Sequence, residues 1–454
     1  MQRLGSALRS IYTIAVCSLP IAAGAQTIPI RELAAPNART TESFGNIFGV
    51  RPLSGGKVLV NDGVRRQLII LDEKFATRTI AIDSVTTGGQ SYGPRASPLI
   101  PYLADSTFFV DGASLTLLVI DPNGKIARVM SAPKPGDVSA LASGASGVDA
   151  KGNLVYRGRS PATPTPAAGS AASAAQASDS QPIVRADFDT RQVDTLGRVK
   201  VRSGGRTVVS QDPNGKTIAV TTVNPLSTVD EWGVMSDGTV AFVRGQDYHI
   251  DFLAPDGKAY ASAKLPFDWK RLTDEDKQAL VDSARNAINK AVSDARAKAA
   301  NPAEADRAAS IATMMALASA MGMSSGGGMG GGMGGGTVGG AAPMGPMPAM
   351  PTMVTEFVPL KEITDYYPAI RAGAVKADLD GNLWILPTSS AQSKAGELIY
   401  DIVNKQGVLT QRVRVPLGRS IAGFGHKGIV YLMQRDANGA WFLERTRIVG
   451  VTTQ

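Results

Sequence analysis

The chain reads as an all-β protein that repeats one four-stranded unit and sets the copies side by side around an axis. Three observations predict this. Short apolar runs alternate with polar turns throughout, in a chain of 454 residues that carries 49 glycines and 27 prolines. The first turn of each unit, at Gly56, Ser106, Gly152, Gly238, Gly381 and Gly428, recurs at intervals of 50, 46, 86, 143 and 47 residues, the two long intervals each holding an insertion. Hairpin turns also repeat, since Asp121–Lys125 and Asp212–Lys216 are both Asp-Pro-Asn-Gly-Lys and Pro255–Lys258 is a close variant. Proline presets φ, Asp and Asn bond their own backbone, and Gly accepts the positive φ that ends the turn.

Taken in order, the first unit has strands at Phe48–Pro52, Lys57–Asn61, Gln67–Leu71 and Arg78–Ile82. The second has Leu99–Leu103, Thr107–Val110, Leu115–Ile120 and Lys125–Met130. The third has Gly147–Asp149, Asn153–Arg157, Ile183–Asp187 and Gln192–Val199. The fourth runs Gly233–Met235, Thr239–Arg244, His249–Leu253 and Lys258–Ala263, and the fifth Ala374–Ala377, Asn382–Leu386, Leu398–Val403 and Val408–Val415. The sixth has Ile421–Gly423, Ile429–Met433 and Ala440–Ile448, and lacks an outer strand. Thr27–Leu33 has a strand pattern and is expected to supply it, closing the ring. Arg206–Thr222 is a surplus hairpin, either a decorated loop or half of a seventh unit. Radial stacking covers both faces of such sheets and protects their edges, which an antiparallel sandwich of short strands does differently.

Two stretches carry a resemblance. Gly56-Lys57-Val58-Leu59-Val60-Asn61-Asp62 with Gln67–Asp72, and Ala377-Asp378-Leu379-Asp380-Gly381-Asn382-Leu383-Trp384-Ile385, resemble the repeats of six-bladed β-propellers of the NHL and TolB-like groups. The likeness covers most of 26–454 outside the insertions. It implies a six-bladed β-propeller with an inserted helical hairpin and low-complexity linkers. It says less about activity, because that class includes binding scaffolds and enzymes.

The insertions differ in kind. Residues 161–181 are mostly Ala, Ser, Pro and Thr with one charge, Asp179, and read as a flexible loop within the first propeller part, 26–271. Residues 272–320 read as two helices. Thr273 and Asp276 form a capping-box variant, and Leu280, Ala284, Ile288, Ala291, Val292 and Ala295 mark one apolar face. Asn301-Pro302 ends the first helix and begins the second, striped by Ile311, Met315 and Ala318. Packing over the propeller is the expected role, with a partner or membrane surface as the other. Residues 321–355 are a Met/Gly/Pro-rich linker: ten of the 14 methionines fall between Met314 and Met353. Thioethers could hold Cu(I) there or meet an apolar partner, but no His or Cys lies nearby to help and ordering so much glycine is costly. Residues 356–454 are expected to complete the ring.

Met1–Ala25 has the three parts of a secretory signal: Arg3 and Arg9, the apolar stretch Ile11–Leu19, and Ala23-Gly24-Ala25 before Gln26. Lipidation at Cys17 is the other reading of that stretch, though bulky Val16 precedes it. Export to the periplasm or extracellular space follows, leaving a mature chain without cysteine and a net charge lowered from +8 to +6 by the loss of Arg3 and Arg9. The basic residues are scattered, as at Arg65-Arg66 and Lys270-Arg271, so no nucleic-acid partner is expected, and no transmembrane segment is expected in the mature chain.

Chemistry is sparse. Cys17, His249 and His426 are the only cysteine and histidines, too few for a zinc cluster, and no G-x-S-x-G, H-E-x-x-H, P-loop or EF-hand pattern occurs. No catalytic or cofactor-binding residue is assigned, and no cofactor is predicted. His249 and Asp251 share a strand face, as a hydrogen-bonded pair or an exposed rim pair; His426 sits in a turn. Asp62, Asp111, Asp149, Asp230, Glu231, Asp378 and Asp380 lie near turns or strand ends and could converge on a channel to hold Ca²⁺, although turn aspartates need no function. By resemblance to propeller lactonases, such a convergence would support a metal-assisted hydrolase. The favoured reading is a non-catalytic exported scaffold presenting a ring face to a protein, peptide or small ligand. A structural part of an envelope assembly stands between the two.

Overall fold

The computed structural model describes residues 28–84, 91–93, 96–111, 114–143, 146–158, 179–201, 206–211, 217–320, 352–391 and 397–450. The expected signal with Cys17, nearly all of the 161–181 loop, the turn Asp212–Lys216 and almost the whole Met/Gly-rich linker lie outside them.

Among the described residues, alternation of apolar residues in short runs produces seven sheets of three to five strands. Four are simple antiparallel four-stranded blades. The first sheet is Ile47–Pro52, Val58–Asp62, Gln67–Leu71 and Arg78–Ile82; the second is Leu99–Pro101, Thr107–Asp111, Thr116–Ile120 and Ile126–Ser131. The third is Ser146–Val148, Leu154–Arg157, Ser180–Ala186 and Val193–Lys200; the fourth is Glu231–Val234, Val240–Arg244, His249–Leu253 and Ala259–Ala261. The fifth has Val375–Ala377, Asn382–Ile385, Leu398–Asn404 and Leu409–Val415, with Ile30–Glu32 added in parallel at its outer edge. The sixth has Arg419–Phe424, Ile429–Arg435 and Trp441–Arg447, with Ala38–Arg39 as its outer strand. The N-terminal segment therefore pairs differently from the expectation. Ile30–Glu32 extends the fifth sheet, and only Leu33 reaches the sixth, through an antiparallel bridge to Ile448; the outer strand there is Ala38–Arg39, anchored by Thr40 bonding Leu443 in both directions.

Period-two alternation sends each strand's side chains to two different cores. Val58 and Val60 pack with Tyr431, Met433 and Leu443 of the sixth sheet, while Leu59 between them packs with Phe109 and Leu118 of the second. The same division recurs, so that buried clusters join the first and second, second and third, third and fourth, fourth and fifth, fifth and sixth, and sixth and first sheets. The result is a β-propeller-like fold. Turns end the strands as their residues require: Asp149 and Asp378 each accept two backbone N–H groups through Oδ1, and Gly152 and Gly381 supply φ of 87° and 82°.

The seventh sheet belongs to the insertion. The surplus hairpin, Arg206–Gln211 with Thr217–Val223, is joined in parallel by Thr352–Phe357 and so becomes a small sheet of its own. Two helices, Asp274–Ala297 and Pro302–Ala320, pack beside it through Ile288, Ala316, Leu317 and Val223. The capping box forms as the sequence implies, Thr273 Oγ1 accepting from Asp276 N at 3.2 Å and Asp276 Oδ2 from Thr273 N at 3.0 Å. Asn301 caps the second helix by accepting from Glu304 N at 2.9 Å. The buried face includes Val281 and Lys277 besides the expected Ala284 and Ile288. Among the described residues no helix is long and apolar enough to cross a membrane.

Inner strands crowd one another. A Cβ on Gly423 of the sixth sheet would stand 2.6 Å from Val50 Cγ2 and 2.9 Å from Val50 O of the first, whereas one on Gly49 would meet nothing within 4 Å. Gly423→Ala is therefore expected to cost about 1–3 kcal/mol in urea unfolding, and Gly49→Ala less than about 0.5 kcal/mol. Equal effects would contradict this packing of the sixth sheet on the first.

Candidate functional site

The fourth sheet carries a row of charged side chains close to the segments that flank the insertion. Alternation along its third strand, continued into the preceding turn, puts Asp247, His249 and Asp251 in one row. His249 Nδ1 lies 2.6 Å from Asp247 Oδ1, and Nε2 lies 3.2 Å from Asp251 Oδ1. Arg244 donates from Nε to Asp251 Oδ2 at 2.7 Å and from Nη1 to Asp230 Oδ2 at 2.9 Å. Lys264 Nζ stands 3.5 Å from the other Asp247 oxygen. An unbroken chain of polar contacts thus runs from Asp230 through Arg244, Asp251, His249 and Asp247 to Lys264. Burial works against the Asp247 carboxylate, but the His249 hydrogen bond and charge, with Lys264, hold it below the usual carboxylate range. Burial likewise opposes the Arg244 charge, and its bonds to Asp251 and Asp230 more than restore it.

At the end of that chain lies a cleft of about 480 Å³. The turn Gly245–Asp247 and Thr228 form one side; Lys264, Trp269, Thr364, Asp365, Tyr366 and Pro368 form the rest. Trp269 and Tyr366 are 37% and 45% exposed, large rings left facing solvent. Trp269 is braced edge-on by Phe267 at 4.9 Å, and Phe267 by the buried Tyr248 at 5.9 Å. Asp365 accepts from Lys277 Nζ at 2.6 Å, which keeps its carboxyl below the usual range.

Beside Asp230, Glu231 begins the fourth sheet's inner strand and accepts the Gly373 N–H at 3.0 Å. Protein surrounds its largely buried carboxyl, and that burial pushes it up to about 7, aided by Asp230 and opposed by Gly373 N–H, Arg157 and Lys376. Lys376, on the fifth sheet's inner strand, is pulled below the usual amine range by the same burial, against the Glu231 charge.

The other acids named from sequence do not gather here. Asp62 is buried and accepts Gly45, Asn46 and Arg65 N–H groups; Asp111 accepts from the Ser114 hydroxyl; Asp149 and Asp378 hold their own turns. Asp380 clamps the next sheet's turn through Lys427 and Gly428 N–H, beside exposed His426 at 3.8 Å. Among the described residues no group of three His, Cys, Asp or Glu side chains could hold a metal ion. The sequence reading found His249, Asp251, Asp230 and Glu231. It missed Asp247, whose two-residue spacing from His249 was visible, and Trp269, Asp365 and Tyr366, which only the insertion brings together.

No protein-family model matches the chain, and no curated protein does. Among solved structures it is similar to a catalytically inactive virginiamycin B lyase from Staphylococcus aureus, at 9% identity and TM-score 0.37 over 90% of this chain and 98% of that one. A calcium-binding regucalcin from Agrobacterium tumefaciens is similar at 10% identity and TM-score 0.36, over 93% and 97%. A luciferin-regenerating enzyme is similar at 8% and 0.35, over 92% and 98%. At that level these likenesses add nothing to the site.

Glu231 gives a pH test. Its folded carboxyl, at about 7, holds a proton that the unfolded chain releases near 4.5, so the folded state binds more protons between those values and stability falls as pH rises through them. Glu231→Gln removes this loss. Its melting temperature relative to the parent is expected to climb from pH 4.5 to 7.5, and parallel curves would refute the assignment.

Proposed function

We propose that the chain is an exported, six-bladed β-propeller, of the NHL or TolB-like kind, that acts as a non-catalytic binding scaffold and takes a small ligand in the cleft beside the fourth sheet. The cleft is the observation that carries the reading. Its volume of about 480 Å³ falls within the range of small-molecule sites, and it combines exposed rings with a few convergent polar groups. Its two carboxylates already hold partners, Asp247 with His249 and Lys264 and Asp365 with Lys277, which supports a preorganised binding surface. The absence of a metal-capable cluster among the described residues weighs against a metal-assisted hydrolase.

Closure of six blades rests on the cluster that joins the sixth sheet to the first and on the Ala38–Arg39 pairing. Export rests on the pattern of Met1–Ala25.

Ala38→Cys with Arg445→Cys places two thiols on directly opposed residues in a mature chain expected to contain no other. Oxidation is expected to form the cross-link in the monomer and add about 2–4 kcal/mol to stability. Free thiols in the folded protein would rule out closure. The mass of protein recovered from the exporting host is expected to begin at Gln26, and retention of residues 1–25 in the cytoplasm would end the export reading. For binding, thermal unfolding is followed with a panel of neutral sugars, polyamines and small carboxylates. Some member is expected to raise the melting temperature of the parent and not of Trp269→Ala; a panel that shifts nothing would remove the cleft from consideration.

A further inference from the structure

The chemistry of the cleft walls narrows the ligand further, on the assumption that the cleft is the binding site proposed above. Charge comes first. Asp247 already faces His249 at 2.6 Å and Lys264 at 3.5 Å, and Asp365 already holds the buried Lys277 ammonium at 2.6 Å. A cationic ligand would find both carboxylates already balanced by the Lys264 and Lys277 ammonium groups, and an anionic one would meet two carboxylates. The walls favour a guest without net charge.

Hydrogen bonding comes next. Carboxylate oxygens of Asp247 and Asp365 have further lone pairs to accept with, while the Lys264 ammonium and the Gln246 amide can donate. The Thr228 hydroxyl can do either, while the Thr364 hydroxyl already donates to Tyr366 O at 3.1 Å and has a lone pair left to accept with. A matching guest needs several groups that both donate and accept, which hydroxyls do. The rings supply the last constraint. Trp269 and Tyr366 offer flat apolar area at the same cleft, and Trp269 is held in place by Phe267. A guest using both kinds of wall has a rim of hydroxyls and an apolar face.

We infer that the cleft binds a neutral saccharide, with the C–H face of a pyranose ring against Trp269 or Tyr366 and its hydroxyls bonded to Asp247, Asp365, Gln246 and Lys264. The sugar could be free or the end of a longer glycan, and the two are separable by experiment.

Cellobiose, maltose and N,N′-diacetylchitobiose are titrated into the full mature chain by calorimetry, and cellulose, starch and chitin are used in sedimentation assays. Saturable binding of a disaccharide is expected. Co-sedimentation with the matching polymer would assign the site to glycan ends, and its absence to free sugar. Trp269→Ala and Tyr366→Ala are expected to weaken binding at least tenfold each. Both side chains are partly exposed, so the variants are expected to stay folded with melting temperatures within about 5 °C of the parent's, and Leu417→Ala at another exposed position should bind normally. Indole fluorescence that responds to sugar in the parent and not in Trp269→Phe would place the guest on that ring. Failure of every sugar to bind, or full binding by the double variant, overturns the inference. If spermidine or citrate binds instead and depends on the same two rings, the ligand class is wrong while the scaffold reading stands.

Discussion

Each of the first six sheets has apolar side chains on both faces, and neither face can be left to water. A fully buried Val, Leu or Phe contributes about 1.5–3 kcal/mol, so a sheet with one bare face would forfeit several such contributions. Two-layer stacking would cover one face of each sheet. Sharing every face with a neighbour covers both, and the six buried clusters pair the sheets in that way, the last with the first. Crowding toward the inner strands then follows. Gly147 and Gly423 stand where a Cβ would come within 2.7 Å of Val234 or Val50, so the inner strands carry glycine for want of space.

The same constraint explains where novelty was free to enter. Strands that share both faces tolerate little change, while connections between sheets can lengthen without disturbing either core. The longest lies between the fourth and fifth sheets. It carries two capped helices and the strand Thr352–Phe357, which recruits the hairpin from the previous connection into a separate sheet. Leu226, Leu272, Val281 and Ile363 bury the base of this unit. The segments on either side of it are thereby fixed against the fourth sheet, and Trp269 and Tyr366 come to share one cleft although 97 residues apart.

That history decides what could be read from sequence. The blade strands were legible in place and order, because alternation and Asp-rich turns are local signals: Gln67–Leu71 and Arg78–Ile82 match their expected bounds, while the strand expected at Ile183–Asp187 is Ser180–Ala186 and that expected at Lys258–Ala263 is Ala259–Ala261. The sixth sheet's outer strand was not. Ala38–Arg39 is only two residues long, too short to show a period, while Thr27–Leu33 showed one and reaches the sixth sheet only through the Leu33–Ile448 bridge, its Ile30–Glu32 part pairing with the fifth. Aspartates at turns look alike in sequence whether they hold a loop, as Asp62 and Asp378 do, or join a charged row, as Asp230 does. Only partners distinguish them. The cleft was invisible because its residues come from three separate connections, none with a pattern of its own.

The row from Asp230 to Lys264 makes the cleft more than a depression. Its charges alternate along a strand end, so each group is held by the next, and no acid in the row lacks a donor. His249 is the weak link. A neutral imidazole carries one N–H and can donate to only one of Asp247 and Asp251, whereas both carboxylates face ring nitrogens. Only the protonated ring satisfies both contacts at once. A guest that draws Lys264 away from Asp247 leaves His249 as that carboxylate's remaining partner. The orientation of the cleft floor therefore depends on the imidazole, and through Asp251 and Arg244 on Asp230, the neighbour of Glu231 on the inner strand.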